Sequence, residues 1–313
     1  MMNPVSLPAL SRIAICGGTH GNELSGVYLV RELQRQKKEK VGEAALTTVL
    51  SNPRAIKECR RYIDMDLNRC FTKALLSSPV MDDTPFEVRR AQELQALLGA
   101  SSSVQAMDLV IDLHNSTSNM GVSLITYYNQ NPLILHIYKH IQRNVTVAPV
   151  RLILLDTHHA DAYSLDSLGK HSFTLEVGPQ PHGVLRADIF NIMKEAVDQT
   201  LKWVQCFNTG SVFEGGEVDN AYMLVKSIDF PRDQENNNIS GVVHPQLQDQ
   251  DFCHLRPGDP MFLTFSGETV KYEEKEVLHP FFINEGAYYE KSIAFHLGRK
   301  MTLSVPSLQM KEH

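Results

Sequence analysis

GGTHGNE, residues 17–23, directly follows the apolar run IAIC at residues 13–16. Three glycines, His20 and Glu23 crowd together where a strand is expected to end. Two readings are open. The glycines let the backbone turn sharply, and Glu23 then favours a helix start. Alternatively, imidazole and carboxylate are both good zinc ligands, and the H-x-x-E spacing puts them on one side of a tight turn. Thirteen histidines in the chain make an H-x-x-E pair an ordinary coincidence, so the pair alone does not decide.

The pattern repeats elsewhere in the first two hundred residues. LVIDL (109–113) runs into His114-Asn115, and FTL (173–175) runs into Glu176. Strands are expected at residues 13–16, 46–50, 109–113, 152–155 and 173–177. Helices are expected near 24–37, 86–98, 131–143 and 185–205, the last carrying Leu185, Ile189, Ile192, Ala196 and Leu201 at helical spacing. Strand alternating with helix reads as an α/β domain with a largely parallel sheet. Ligands of such sheets sit at the carboxyl ends of the strands, so residues distant in sequence can share one crevice. A catalytic zinc site needs three protein ligands and an open position, and His114 is a candidate third. Asp112, two residues earlier on the same strand face, can orient its imidazole or simply end the strand. Glu176, at an apolar strand end, can act as a general base or form a salt bridge to an arginine. RRYIDMDLNR (60–69) supplies Arg61 and Arg69, with Asp64 and Asp66 to hold them, and it also reads as a solvated loop.

After residue 206 the texture changes. Short β-rich runs at 221–225, 241–244, 261–265, 277–283 and 301–305 are punctuated by Gly, Pro, Asn and Asp, with no comparable helix. We therefore expect a first domain over residues 1–208 and a β-rich C-terminal domain over 209–313.

Bulk properties narrow the function. A net charge of −6 and a pI of about 6.1 argue against a nucleic-acid partner. No apolar run reaches transmembrane length, and the start MMNPVSLPALSR lacks a signal-peptide layout. Five scattered cysteines with no C-x-x-C pair fit a reduced, cytoplasmic protein. Self-association into a homo-oligomer and peripheral membrane attachment stay open.

The assembled motifs resemble the aspartoacylase family of zinc amidohydrolases. GGTHGNE, NPRA (52–55), RRYIDMDLNR, DLHNSTSNMG (112–121), LEVGPQPHGVLRADI (175–189), HPQLQDQDF (244–252), PGDPMF (257–262) and NEGAYYEK (284–291) follow in order along nearly the whole chain. The resemblance implies a zinc carboxypeptidase-like α/β domain with a mostly parallel mixed sheet, plus a smaller C-terminal β domain. It implies one Zn2+ per subunit on His20, Glu23 and His114, with Glu176 as general base. It makes Arg61 the group polarising the scissile carbonyl, and Asn68, Arg69 and Tyr288 the holders of the substrate carboxylate.

One departure bears on the substrate. Aspartoacylases proper carry an arginine for the side-chain carboxylate of N-acetylaspartate in the segment that here reads DAYSLDSLGKHSFTLE (161–176). That position falls on Asp166, and no arginine lies between Arg151 and Arg186. Only Lys170 supplies a permanent positive charge there. The chain is therefore similar to the branch acting on N-acyl aromatic amino acids and S-conjugates of N-acetylcysteine (mercapturates). N-acetylaspartate hydrolysis, carboxypeptidase activity and a non-catalytic zinc-binding interaction protein are the rival readings.

Overall fold

The molecule is a computed structural model that describes residues 4–127, 131–156 and 163–311. Met1 to Asn3, and Asp161 and Ala162 of the 161–176 segment, lie outside the described residues. In chain order the elements are β1 (Val5–Leu7), β2 (Arg12–Gly17), α1 (Leu24–Arg35), β3 (Lys40–Val41), β4 (Ala44–Leu50), α2 (Pro53–Glu58), α3 (Lys73–Leu76), α4 (Phe86–Leu98), β5 (Leu109–Asn115), β6 (Gly121–Tyr127), α5 (Pro132–Asn144), β7 (Val150–Leu155), β8 (His171–Gly178) and α6 (Ala187–Asn208). Then follow β9 (Gly216–Ile228), β10 (Gly241–Val243), β11 (Pro260–Thr264), β12 (Thr269–Lys271), β13 (His279–Phe281), β14 (Phe295–Val305) and β15 (Leu308–Met310).

Successive side chains of a strand point to opposite faces, and this alternation builds the layers. Ile13 and Ile15 of β2 pack in the same core as Leu29 and Leu33 of α1, Ile137 of α5 and Val204 of α6. Ala14 and Cys16, one residue out of step, join Val88, Ala91 and Leu94 of α4. Helices thus cover both faces of the sheet, which explains why its central strands are apolar throughout.

Among the described residues the main sheet has ten strands in the order β13-β14-β9-β7-β6-β8-β5-β2-β4-β3. β4, β2, β5 and β8 run parallel side by side. β6 is antiparallel to β8, and β7 and β9 then follow β6 in parallel. The α/β class with a mostly parallel mixed sheet is as the sequence implied. β6 was not anticipated. Its run GVSLITY follows a polar loop and has no helix before it, so the strand–helix alternation that marked the others is missing.

The β-rich end contributes β9, β14 and β13 to this same sheet and builds a separate three-stranded sheet, β10-β11-β12. Its own core gathers Phe230, Leu247, Leu255, Phe262, Leu278 and Phe295, with the Phe262 and Phe295 rings stacked 5.5 Å apart. The strand expected over 277–283 shortens to β13, because Phe282 and Asn284 take positive φ and break the extended run. The strand expected at 301–305 is the end of the longer β14.

The register of β2, β5 and β8 places the polar strand ends together. Cys16 lies opposite Asp112, Asp112 opposite Thr174, and His114 opposite Glu176. The turn after β2 is held by close packing on α2. A Cβ at Gly21 would lie 2.1 Å from the carbonyl carbon of Ala55. Gly21→Ala must therefore push the 20–23 turn off α2, and overpacking of this kind costs about 1–3 kcal/mol. We expect a lowered thermal midpoint together with weaker metal binding. A variant with wild-type values of both would refute the packing argument.

Candidate metal centre and active-site cavity

His20, Glu23 and His114 meet. His20 Nδ1 lies 2.7 Å from Glu23 Oε1, His114 Nδ1 lies 2.9 Å from Glu23 Oε2, and the two Nδ1 atoms face each other 3.1 Å apart. All three side chains are buried, and their candidate ligand atoms lie within 4.8 Å of one another. Glu23 occupies the N-cap position of α1, but its side chain does not cap the helix. It is both a helix start and one jaw of the cluster.

The outward nitrogens explain the arrangement. His20 Nε2 is 3.0 Å from Asp66 Oδ1, and His114 Nε2 is 2.7 Å from Asp112 Oδ2. Thr19 Oγ1 donates to the other Asp112 oxygen at 2.7 Å. A carboxylate partner keeps the ring proton on Nε2 and leaves the lone pair on Nδ1. Two Nδ1 lone pairs facing each other beside a carboxylate repel unless a cation lies among them. The donor set therefore fits a divalent metal ion. Asp112 takes the orienting role considered for it, and Asp66 does the same for His20.

Burial disfavours charge on His114, but Asp112 and Glu23 outweigh it and hold the imidazole well above its usual range, so the cluster attracts positive charge. Burial works against charge on Glu23, but His20 and His114 outweigh it and hold the carboxyl well below its usual range. Asp66 is likewise held down against burial by His20, Arg61 and Lys291. Arg61 donates from Nη1 to Glu23 at 3.2 Å and from Nη2 to Asp66 at 3.2 Å, while its Nε is buried without a partner. The expected holding of the arginines by two aspartates is half right. Asp64 instead accepts the backbone N–H of Phe86 at 2.7 Å and so anchors the start of α4.

Glu176 lies beside His114 across the β5–β8 pairing and forms no ion pair among the described residues. Burial pushes its carboxyl well above the usual range. His114 opposes that shift, while Glu23 and Glu285 add to it. Asn68 uses its Oδ1 to accept the Leu165 N–H at 2.9 Å. Arg69 lies 4.8 Å over the Tyr163 ring and donates to the Asn68 carbonyl at 2.7 Å. Tyr288 reaches the same cavity from the β-rich end, and its hydroxyl is pushed up by burial and by Glu176. All eight site residues chosen from sequence thus line or border one cavity of about 300 Å³.

Three further residues shape it. Glu87 on α4 is buried and accepts the backbone N–H groups of Ile63, Asp64 and Met65 at 2.7, 3.0 and 3.2 Å, so it sets the loop that presents Arg61. Glu285 accepts Ser116 Oγ at 2.5 Å and the Thr117 N–H at 2.8 Å, tying the Tyr288 segment to the end of β5. Lys291 lies 3.3 Å from Asp66 Oδ2 and 5.2 Å over the Tyr288 ring, its ammonium pushed down to about 8 chiefly by burial. Sequence reading missed Glu87 because nothing local marks a glutamate whose partners lie more than twenty residues upstream. It could have marked Glu285 and Lys291, since both belong to NEGAYYEK.

Part of the cavity lining is apolar, with Ile125, Ile153, Leu155, Leu224, Phe282 and Ile293. Asp166 also lines it. Its carboxylate accepts from Ser164 Oγ, from the Tyr127 hydroxyl at 3.3 Å and from Thr174 Oγ1 at 3.4 Å, and burial pushes it up to about 6. Lys170, considered as a cation for this region, instead pairs with Asp108 at 2.7 Å and does not line the cavity.

A His–Glu–His triad that fits a metal ion, at the carboxyl ends of a mostly parallel sheet and flanked by a β-rich unit, defines the class: an α/β protein with a candidate metal site and an appended β unit. The Succinylglutamate desuccinylase/Aspartoacylase catalytic domain pattern matches residues 9–204, and the AstE/AspA barrel-sandwich hybrid domain pattern matches residues 219–300. The chain belongs to the succinylglutamate desuccinylase/aspartoacylase family. It is 62% identical to the N-acyl-aromatic-L-amino acid amidohydrolase (carboxylate-forming) A of Danio rerio, over 99% of this chain and 95% of that protein. It is 41% identical to the aspartoacylase of Mus musculus, over the full length of both. The crystal structure of murine aminoacylase 3 superposes with a TM-score of 0.93 at 44% identity, covering 97% of this chain and all of the other.

The metal assignment predicts about one divalent ion per purified chain by elemental analysis, removable with a chelator. His114→Ala should abolish that stoichiometric binding. Asp112→Ala should weaken it about 10- to 100-fold, the usual effect of losing a carboxylate behind a ligand histidine. Full metal content in His114→Ala would refute the site.

Proposed function

We propose that the protein is a zinc-dependent amidohydrolase of N-acyl amino acids, preferring N-acetyl aromatic amino acids and S-conjugates of N-acetylcysteine. Its products are a carboxylate and the free amino acid. The observation that carries this reading is the mixed lining of one cavity. The His–Glu–His triad, Arg61, Arg69 and Lys291 line it together with several apolar side chains and the buried Asp166. An anionic side chain placed against Asp166 would meet a carboxylate instead of a counter-ion and would be poorly solvated. The names of relatives 46% and 62% identical to this chain support the same substrate class.

His20, Glu23 and His114 would hold the zinc, which suits a set of two imidazoles and a carboxylate. Zinc in such a site acts as a Lewis acid and acidifies water. Glu176, with its affinity for protons raised by burial, accepts a proton from the attacking water and later delivers it to the leaving amine. Arg61 is anchored through both terminal nitrogens beside the triad, where its fixed positive charge would steady the oxygen that gains charge. Arg69, Asn68 and Tyr288 clamp the α-carboxylate, with Arg69 steadied by Tyr163. Residues 1–208 then form the catalytic unit, and 209–313 close the pocket through Tyr288 and Lys291. No helix among the described residues is long and apolar enough to cross a membrane. Five unpaired cysteines support a reducing, cytoplasmic setting.

Glu176→Ala should lower kcat by about 10²- to 10⁴-fold, the usual worth of a general base, with metal content unchanged. Near-wild-type turnover would remove Glu176 from the proposed role. Asp166→Arg should raise kcat/KM for N-acetylaspartate relative to N-acetyltyrosine by at least about tenfold, a difference of ~1.4 kcal/mol in transition-state binding. An unchanged ratio in a folded variant would overturn the selectivity argument.

A further inference from the structure

A second pocket of about 300 Å³ lies between α5, the end of α6 and residues 212–215, and it shares no lining residue with the cavity above. The sequence of α5 places His136, Lys139, His140 and Arg143 at i, i+3, i+4 and i+7, one face of a helix, and all four line the pocket. Two of these imidazoles are committed: His136 Nε2 to the Pro306 carbonyl at 2.8 Å, and His140 Nε2 to Gln199 at 3.2 Å.

The two permanent cations are not neutralised. Lys139 is only 9% exposed, yet its ammonium donates to nothing charged. Its one polar partner among the described residues is the Gly215 carbonyl at 3.1 Å. Arg143, exposed at the rim, has no carboxylate partner among the described residues, and Glu214 across the opening pairs with neither cation. A lysine with a buried stem and no carboxylate beside its ammonium leaves positive charge that an anion in the pocket can meet. Gly216 sits at φ +134°, and a Cβ there would lie 3.3 Å from Lys139 Nζ, so a side chain would crowd the ammonium.

Trp203 is an independent sign. Its ring is fully buried, stacked 5.3 Å from Phe207 and tilted against Phe213 at 4.9 Å, and it lines the same pocket. The indole Nε1 is buried with no hydrogen-bond partner, although indole N–H groups in protein interiors normally have one. Two cations without a carboxylate partner among the described residues and an apolar surface thus meet at one pocket.

We propose that this pocket binds a small organic oxyanion, its anionic head held by Lys139 and Arg143 and its apolar body packed against Val212, Phe213 and Trp203. The head is a carboxylate or a phosphate monoester. The site is separate from the catalytic cavity and does not depend on the proposed reaction.

Trp203 is the only tryptophan in the chain, so its emission reports on this pocket directly. Phenylacetate and phenyl phosphate are titrated separately into the metal-loaded, full-length protein at constant ionic strength. A saturable change in emission with at least one probe is expected, and the tighter probe identifies the head group. Its dissociation constant should rise at least about tenfold in Arg143→Ala and in Lys139→Met, as for loss of a charge-assisted contact. Arg143 is exposed, so its variant keeps the test valid if Lys139→Met folds poorly. The proposal fails if neither probe gives a saturable emission change or calorimetric heat, or if Arg143→Ala binds as wild type. It also fails if Arg69→Ala abolishes the response while Arg143→Ala keeps it, because the probe then occupies the catalytic cavity.

Discussion

Two imidazole nitrogens point at each other 3.1 Å apart with one carboxylate between them, and the surrounding structure is arranged to keep them there. Left to themselves the rings would turn, because facing lone pairs repel. Asp112 and Asp66 prevent this by accepting the outward N–H groups, and Thr19 holds Asp112 in turn. These carboxylates are buried, so their charge needs compensation. Arg61 and Lys291 supply part of it at Asp66. The cluster is thus a balanced set of charges whose unmet need is a cation at the centre.

That balance draws in distant parts of the chain. The Arg61 loop is fixed by Glu87 from α4, through three backbone N–H groups that would otherwise be unpaired. Lys291 and Tyr288 arrive from the β-rich end, and Glu285 fastens their segment to Ser116 and Thr117 just beyond His114. The β-rich unit therefore supplies both charge and wall to the cavity. Its strands β9, β14 and β13 continue the main sheet, which gives that contribution a rigid base.

Much of this was legible in the residue pattern. Apolar runs ending in His20, His114 and Glu176 placed the reactive groups at strand ends, because a parallel sheet with helices on both faces needs apolar strands. Helical spacing marked α1, α4, α5 and α6 to within a few residues. The antiparallel β6 was not legible, since its direction depends on pairing with β8 and not on any local signal. Nor were the partners of Asp64 and Lys170. Each charge sits near several opposite charges in sequence, and the pair that forms, with Phe86 and with Asp108, is chosen by packing.

The sequence by itself determined the class of fold, the family and which side chains gather at the strand ends, because periodicity and side-chain chemistry are local properties that one chain carries openly. Only the tertiary structure decided that both histidines present Nδ1 inward, that Asp166 lies buried under hydroxyls in the cavity wall, and that Lys139 and Trp203 share a second pocket. Those facts depend on distances between segments many residues apart. Such distances follow from how whole layers pack, which no short stretch encodes.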